Sequence, residues 1–455
     1  MFVGRNHELE RIKRRLKLDQ FNAVLVYGRR RIGKTALINE AIRQSGAKCL
    51  SLLARDVSSN TNLSDFAKEA GEFMHLIGFN PENFYEFFAG MMEYSKEYPF
   101  VLFIDEYSFL RSYDADIDSY LQKAIELHSR GAKLTIILCG SYIRIMHGIV
   151  EKDAPLYHRF NEEILLHAFD YHTASEMMGN IPNEEKFLYY ATFGGTAFNL
   201  KNIDYSLPFE KNLISEFIKS ESFFEKEAIE TIRREVIKES NVNTILELIS
   251  SGKRKHTDLN NLLGDPSKDN VTRYLKQLEE MDLIDKSFVV NSKSDRKPLY
   301  YLKDNLLDFY YAYLFKNIRV RNIMQPEVFY EHYVKKDFYE HYLPRKFEEV
   351  VKEYLIKENG LSVPFFTSIG RLYYHDSNVN REFDVVLATK EGLIPIECKY
   401  SKSLITKKVV DQEIRQWDKL PFKIHRFGFA SKNGFSDEFL NDSSLLLLTL
   451  NDLYK

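Results

Sequence analysis

Little in this sequence points outside the cell or into a membrane. Only three cysteines occur in 455 residues, Cys49, Cys139 and Cys398. Their spacing suits neither a disulfide framework nor a zinc site, which argues against a cysteine-stapled secreted module and fits a reducing compartment. Long apolar runs are missing as well. The longest, such as Leu134–Cys139 and Leu445–Leu450, are strand-length and too short to cross a bilayer. The first residues lead directly into a charged helix, so no signal peptide is expected, and the expected location is cytoplasmic. Neither sign of charge dominates: 63 Lys and Arg against 66 Asp and Glu leave a net charge of -3. That removes any global attraction to nucleic acid but leaves room for a local basic face. Tryptophan is reduced to Trp417, beside 28 Tyr and 34 Phe, and no function follows from that excess.

What is present is organised around Val24–Leu37. An apolar run ends in Gly28, and Gly33-Lys34-Thr35 opens a segment of helical character. This is the phosphate-loop pattern G-x-x-x-x-G-K-[ST] in its strand–loop–helix setting. Its glycines let successive backbone N–H groups turn toward an anion. The nucleotide would lie against Gly28, Arg29, Arg30, Arg31, Ile32, Gly33, Lys34, Thr35 and Ala36, with Lys34 on the β- and γ-phosphates and Thr35 as a ligand of Mg²⁺. Before it, Phe2–Asn6 precedes an amphipathic helix with Leu9, Ile12 and Leu16 on one face and Arg11, Lys13, Arg14 and Arg15 on the other. It reads as an ordinary surface helix or as a turn packed on the adenine.

After the loop, Ala47–Leu53 reads as a strand and Asn62–Leu76 as a helix. Pro99–Glu106 is a strand buried on both faces, as in a parallel sheet, and two acids close its carboxyl end. Asp105 is placed to hold Mg²⁺, and Glu106 to position and polarise the water that attacks the γ-phosphate. A further buried strand, Leu134–Cys139, delivers Ser141 as a polar contact to the γ-phosphate or the water. Arg159 is a candidate arginine finger.

Residues 2–200 resemble the archaeal-type ATPase group within the AAA+ and STAND-like P-loop NTPases. The likeness rests on Val3-Gly4-Arg5, Gly28–Thr35, Val101–Glu106, Cys139-Gly140-Ser141, Pro155–Arg159 and Gly194-Gly195-Thr196-Ala197. It implies a phosphate loop, a two-acid strand, a polar sensor at Ser141 and a nucleotide-responsive Arg159. Two positions depart from the group: His158 stands where glycine is usual, and Ala197 where the lid pattern has proline.

Residues 170–235 read as a helical lid, with helices at Thr173–Met178, Glu184–Ala191 and Asn212–Glu235, packed beside the nucleotide. Residues 241–302 read as three helices and a hairpin, a winged helix-turn-helix. Its strands are expected at Phe288–Val290 and Leu299–Leu302, around a basic turn with Lys293, Arg296 and Lys297. Thr272, Arg273 and Lys276 would lie on the exposed face of its recognition helix, placed for nucleic acid or, in the other use of such modules, for a protein partner. The aromatic segment 304–342 reads as packing between domains.

The last part of the chain carries a second set of chemistry. Arg381–Leu387 is a strand holding Asp384, and Leu393–Tyr400 a strand holding Glu397 and Lys399 on one face. Two carboxylates that share a divalent metal beside a lysine are the minimum for metal-assisted phosphodiester hydrolysis. With Glu348 on the preceding helix, this resembles the PD-(D/E)xK nuclease core, and Gln412 or Glu413 is a further candidate.

The expected fold is α/β: a P-loop NTPase core with a parallel sheet (1–168), a helical lid (169–238), a winged helix (239–303), an aromatic connector (304–342) and a C-terminal α/β PD-(D/E)xK nuclease-like domain (343–455). The expected activity is ATP hydrolysis coupled to a metal-dependent nuclease-like domain acting on or near nucleic acid. The alternative is a STAND-like signalling ATPase or ATP-gated transcription regulator with a catalytically inert C-terminal docking module. Expected cofactors are ATP and Mg²⁺, with a second Mg²⁺ or Mn²⁺ at Asp384 and Glu397. Expected partners are nucleic acid or a protein, and an oligomer if Arg159 acts in trans; no membrane is expected.

Overall fold

In a computed structural model the chain is described at residues 2–17, 19–235, 240–263, 268–288, 290, 298–376, 379–417, 420–439 and 442–455, with the backbone alone at 234–235, 240, 268–269, 375–376 and 379–382. It divides into two compact units, Met1–Ala168 with Glu280–Asp282, and Phe169–Glu279 with Leu283–Lys455. Among the described residues no helix is long and apolar enough to cross a membrane.

The first unit is built on β1 (Asn22–Tyr27), β2 (Cys49–Leu53), β3 (Phe100–Asp105), β4 (Leu134–Gly140) and β5 (Glu162–Leu165). All five are parallel, in the order β2-β3-β4-β1-β5. Continuous apolar runs suit strands covered on both faces. Alternation sends Val24, Val26, Val101, Phe103 and Ile137 toward Leu9, Ile12, Leu37 and Ile38 of the helices Asn6–Arg15 and Lys34–Ser45. Leu25, Leu102, Ile104, Ile136 and Leu138 face the other way, onto the helices Ser59–Met74, Phe84–Ser95 and Ile117–His128. The basic face expected on the first helix is partly spoken for: Arg11 and Arg15 each pair with Glu162 of β5 at 2.9 Å.

The second unit begins with the helices Tyr171–Glu176, Asn183–Phe193 and Ala197–Lys201. The long helix expected at Asn212–Glu235 is broken. Phe209–Leu213 continues as a π-helical turn, Ile214–Ile218, the chain leaves helical geometry at Lys219, and a new helix starts at Phe223. Phe217 and Phe224 contact the same ring, Phe193, so the chain has to turn between them, and Glu221 takes the left-handed φ of 59° that the turn requires.

Helices Ser240–Ser250, His256–Leu263 and Lys268–Glu280 are followed by an antiparallel pair, β6 (Ile284–Ser287) and β7 (Leu299–Leu302). The first strand therefore lies earlier than the expected Phe288–Val290. Ile284 pairs with Leu302, both buried, whereas Phe288 is 43% exposed. Val290 instead donates its amide to the Arg371 carbonyl at 2.8 Å. The basic turn Lys293, Arg296 and Lys297 lies outside the described residues.

Phe309, Tyr311, Tyr313, Phe338 and Tyr342 are buried, and Phe338 stacks on Phe209 and Tyr342. The aromatic segment is thus core rather than an exposed stacking platform. Helix Leu343–Lys357 then leads into a mixed sheet of β8 (Ser368–Asp376), β9 (Val379–Ala388), β10 (Leu393–Lys399), β11 (Phe427–Ser431) and β12 (Leu445–Thr449), in the order β12-β11-β10-β9-β8. β8, β9 and β10 are antiparallel neighbours, and β10, β11 and β12 parallel ones.

Candidate functional site

The carboxyl ends of three adjacent strands bring the first site together. β1 ends in the loop 28–33, where Gly28, Arg31 and Gly33 take φ of 148°, 65° and 101°. A Cβ at Gly28 would collide with the Leu166 carbonyl oxygen, so the chain can close here only on glycine. Lys34 opens the following helix and is buried at 5% exposure. Its ammonium donates to the carbonyls of Gly28 and Arg29 and to Ser141 Oγ, each at 2.9 Å.

Ser141 follows β4. Its hydroxyl donates to Glu106 Oε1 at 2.8 Å and its backbone amide to Oε2 at 3.2 Å. Glu106 sits in the left-handed region at φ 52°, just past β3. A non-glycine residue held there carries strain of the order of 1 kcal/mol, a feature that clusters at functional sites. Asp105 accepts from the Glu106 amide at 2.9 Å and from the Thr35 hydroxyl at 2.7 Å. Beside this pair, burial pushes the Cys139 thiol well above its usual range, so it stays protonated.

This donor set fits a nucleotide with Mg²⁺. A hydroxyl and a carboxylate stand side by side as hard oxygen ligands, a buried ammonium lies next to them, and the loop has no Cβ at its tightest point. Arg30, Arg31, Thr35 and Ala36 are exposed, while Arg29 and Ile32 are buried. Arg159 is engaged elsewhere, with Nη2 on Glu126 Oε1 at 2.5 Å. The preceding His158 has a φ of 58°, the conformation that explains glycine at that place in the group. Ala197 is the first residue of its helix, where proline and alanine are both accommodated.

In the second unit, Glu348, Asp384, Glu397 and Lys399 fall into two ion-pair groups. Arg371 of β8 reaches both Glu348, at 3.2 Å, and Asp384. Lys399 pairs with Glu397 at 2.6 Å and with Glu413 at 3.4 Å. Glu413, one of the two further candidates, thus joins this second group, and Gln416 donates to it at 2.6 Å. The β9–β10 ladder ends at the Val385–Ile396 pair, which leaves Asp384 and Glu397 as the next residue on each strand. Burial raises the Glu397 carboxyl. Burial, reinforced by the neighbouring Asp384 charge, pushes Glu348 up to about 8. Burial works against the Lys399 ammonium, yet Glu397 and Glu413 hold it above its ordinary range.

Among the described residues no group of three or more His, Cys, Asp or Glu side chains is arranged to hold a metal ion. A resident divalent cation shared by Asp384 and Glu397 therefore does not fit this arrangement, in which each carboxylate already has a protein cation. Arg371 carries no motif of its own, and nothing in the sequence marks it.

On helix Lys268–Glu280, Val271, Leu275 and Leu278 are buried, and Thr272, Arg273 and Lys276 are exposed. Thr272 Oγ1 is 3.0 Å from His256 Nε2.

Residues 2–203 match a family described as an ATPase domain predominantly from Archaea. Residues 310–414 match a second, described as Archaea bacterial proteins of unknown function. An uncharacterised protein of Methanocaldococcus jannaschii is 28% identical over 384 residues, 84% of this chain and 83% of that protein. An uncharacterised ATP-binding protein of the same organism is 40% identical over 52 residues, 11% of this chain and 88% of that protein. Among solved structures, a Walker-type ATPase of Pyrococcus abyssi superposes with a TM-score of 0.50 at 17% identity, covering 68% of this chain and 96% of that one. That likeness is one of fold.

Proposed function

We propose that this chain, whose residues 2–203 belong to the archaeal ATPase family, is an ATP-hydrolysing switch that drives the modules following its ATPase core. The observation that carries the reading is the continuous path Lys34–Ser141–Glu106, beside the Thr35–Asp105 pair. Lys34 neutralises the β- and γ-phosphates, and the loop amides of residues 28–36 wrap them. Thr35 and Asp105 hold Mg²⁺, which when bound neutralises charge on the phosphate oxygens. Glu106 orients the attacking water and Ser141 holds Glu106 in place. Arg159 would serve as a finger only after leaving Glu126. Residues 169–238 act as the lid, 239–303 as a winged helix presenting Thr272, Arg273 and Lys276, 304–342 as an aromatic connector, and 343–455 as a nuclease-like domain on DNA or RNA.

Lys34→Ala should abolish ATP turnover; normal hydrolysis by that variant would overturn the reading. For the C-terminal domain, Arg371 between Glu348 and Asp384 favours the second reading, a module that docks on a partner without cutting it. Assays on single- and double-stranded DNA and RNA with Mg²⁺ or Mn²⁺, with and without ATP, separate the two. Cleavage lost in Asp384→Ala and Lys399→Ala supports the nuclease, and no cleavage under any condition supports docking.

A further inference from the structure

Asp384, one of the two carboxylates expected to bind a divalent cation in the C-terminal unit, is occupied together with the helix acid Glu348 by a cation of the protein's own, Arg371. The β8–β9 ladder pairs Gly370 with Val386 and Leu372 with Phe383, so Arg371 alone faces two residues, Asp384 and Val385. Such a bulge bends its strand locally and re-aims the side chains on it. Here it sets the Asp384 carboxylate against the Arg371 guanidinium. The fork does not stop there. Nη2 reaches Glu348 Oε2 on helix Leu343–Lys357 at 3.2 Å, and Nε donates to the Tyr301 hydroxyl on β7 at 3.0 Å. Arg371 is only 13% exposed in its side chain, and Glu348 17%. A guanidinium is planar, always charged and rigid, so in this position it neutralises two carboxylates and fills the space between them.

We propose that Arg371 is a built-in counter-cation that stands where a divalent metal would sit between Glu348 and Asp384, and that Tyr301 latches it there. The site is closed to Mg²⁺ or Mn²⁺ while Tyr301 on β7 holds the guanidinium, and displacement of Arg371 opens the two acids to metal. This regulation rests on the reading of Glu348, Asp384, Glu397 and Lys399 as a nuclease-like centre.

The test is Mn²⁺ binding by the nucleotide-free full chain, followed through the electron paramagnetic resonance signal of free Mn²⁺. Arg371→Gln should gain one site bound at least tenfold more tightly than any wild-type C-terminal site. The gain should vanish in Arg371→Gln with Asp384→Asn. Tyr301→Phe should gain the same site with a smaller increase. Arg371→Lys, which keeps the charge if the glutamine variant folds poorly, should bind as the wild type does. Tight binding at Asp384 in the wild type, no gain in Arg371→Gln, or a gain that survives Asp384→Asn would overturn the proposal. Cleavage measured in parallel keeps the two ideas apart: a variant that binds Mn²⁺ tightly at Asp384 yet cuts nothing supports the counter-cation and removes only the nuclease reading.

Discussion

Ser141 holds Glu106 twice, through its hydroxyl at 2.8 Å and its backbone amide at 3.2 Å. The same hydroxyl oxygen accepts from Lys34 at 2.9 Å. One serine therefore joins Lys34, proposed to face the phosphates, to Glu106, proposed to face the water.

The first prediction concerns that serine. Ser141→Ala removes the hydroxyl's hydrogen bond to the charged Glu106, worth about 1.5–3 kcal/mol. If most of this is spent on placing Glu106 in the transition state, kcat should fall by roughly tenfold to a hundredfold while the affinity for ATP changes by a few-fold. Steady-state hydrolysis over a range of ATP concentrations reads both quantities. An unchanged kcat would remove Ser141 from the mechanism.

The second concerns pH. Glu353, on helix Leu343–Lys357, accepts from the Tyr171 amide at 3.2 Å and the Tyr190 hydroxyl at 3.1 Å. Burial, with the Asp170 and Glu349 charges nearby, raises its carboxyl to about 7 from an ordinary 4.5. The folded state thus holds this proton more firmly than the unfolded chain. Its contribution to stability is full below about pH 4.5 and is lost as pH rises toward about 7. Glu353→Gln keeps an acceptor for both donors without a charge. Melting temperatures from about pH 5 to about pH 8 should fall less in that variant than in the wild type, and at about pH 8 the variant should be the more stable by several degrees. Parallel curves would show that Glu353 does not titrate in this range.

The third concerns helix Lys268–Glu280. If its exposed face meets the backbone of a duplex, Arg273→Ala and Lys276→Ala should each weaken binding across unrelated sequences. Each should also reduce the slope of log K against log salt by about 1. Fluorescence anisotropy at several salt concentrations measures this. A slope that neither substitution moves assigns the face to a protein partner.

The parts of this protein that repeat a strong local pattern could be read from sequence. β1, β3 and β4 are continuous apolar runs, and the structure places them side by side with the loop and both acids at one edge. β5 was not legible. It is four residues long, begins with two glutamates, and pairs along one side only, with Glu162 tied to Arg11 and Arg15. The break at Lys219–Ser222 was hidden because nothing there is proline or glycine; the turn is imposed by where Phe217 and Phe224 have to pack. In the hairpin, Phe288–Val290 has better strand propensity than Ile284–Ser287, and tertiary pairing overrode it. Glu397 and Lys399 do meet, as alternation along β10 implies. That Glu348 and Asp384 meet through Arg371 depends on a two-for-one mismatch between β8 and β9, which no residue type announces.

The strand order of the first unit has a consequence for how binding and chemistry evolve together. Because β4 lies between β3 and β1, the path from Lys34 of the phosphate loop to Glu106, the proposed hydrolytic acid, is a single residue long. A nucleotide that draws the Lys34 ammonium onto its phosphates takes a donor away from the Ser141 oxygen. In the proposed mechanism the Ser141 hydroxyl and amide keep their bonds to Glu106 while Lys34 turns to the phosphates. Binding and chemistry thus meet at one side chain, Ser141, whose loss is felt mainly at Glu106.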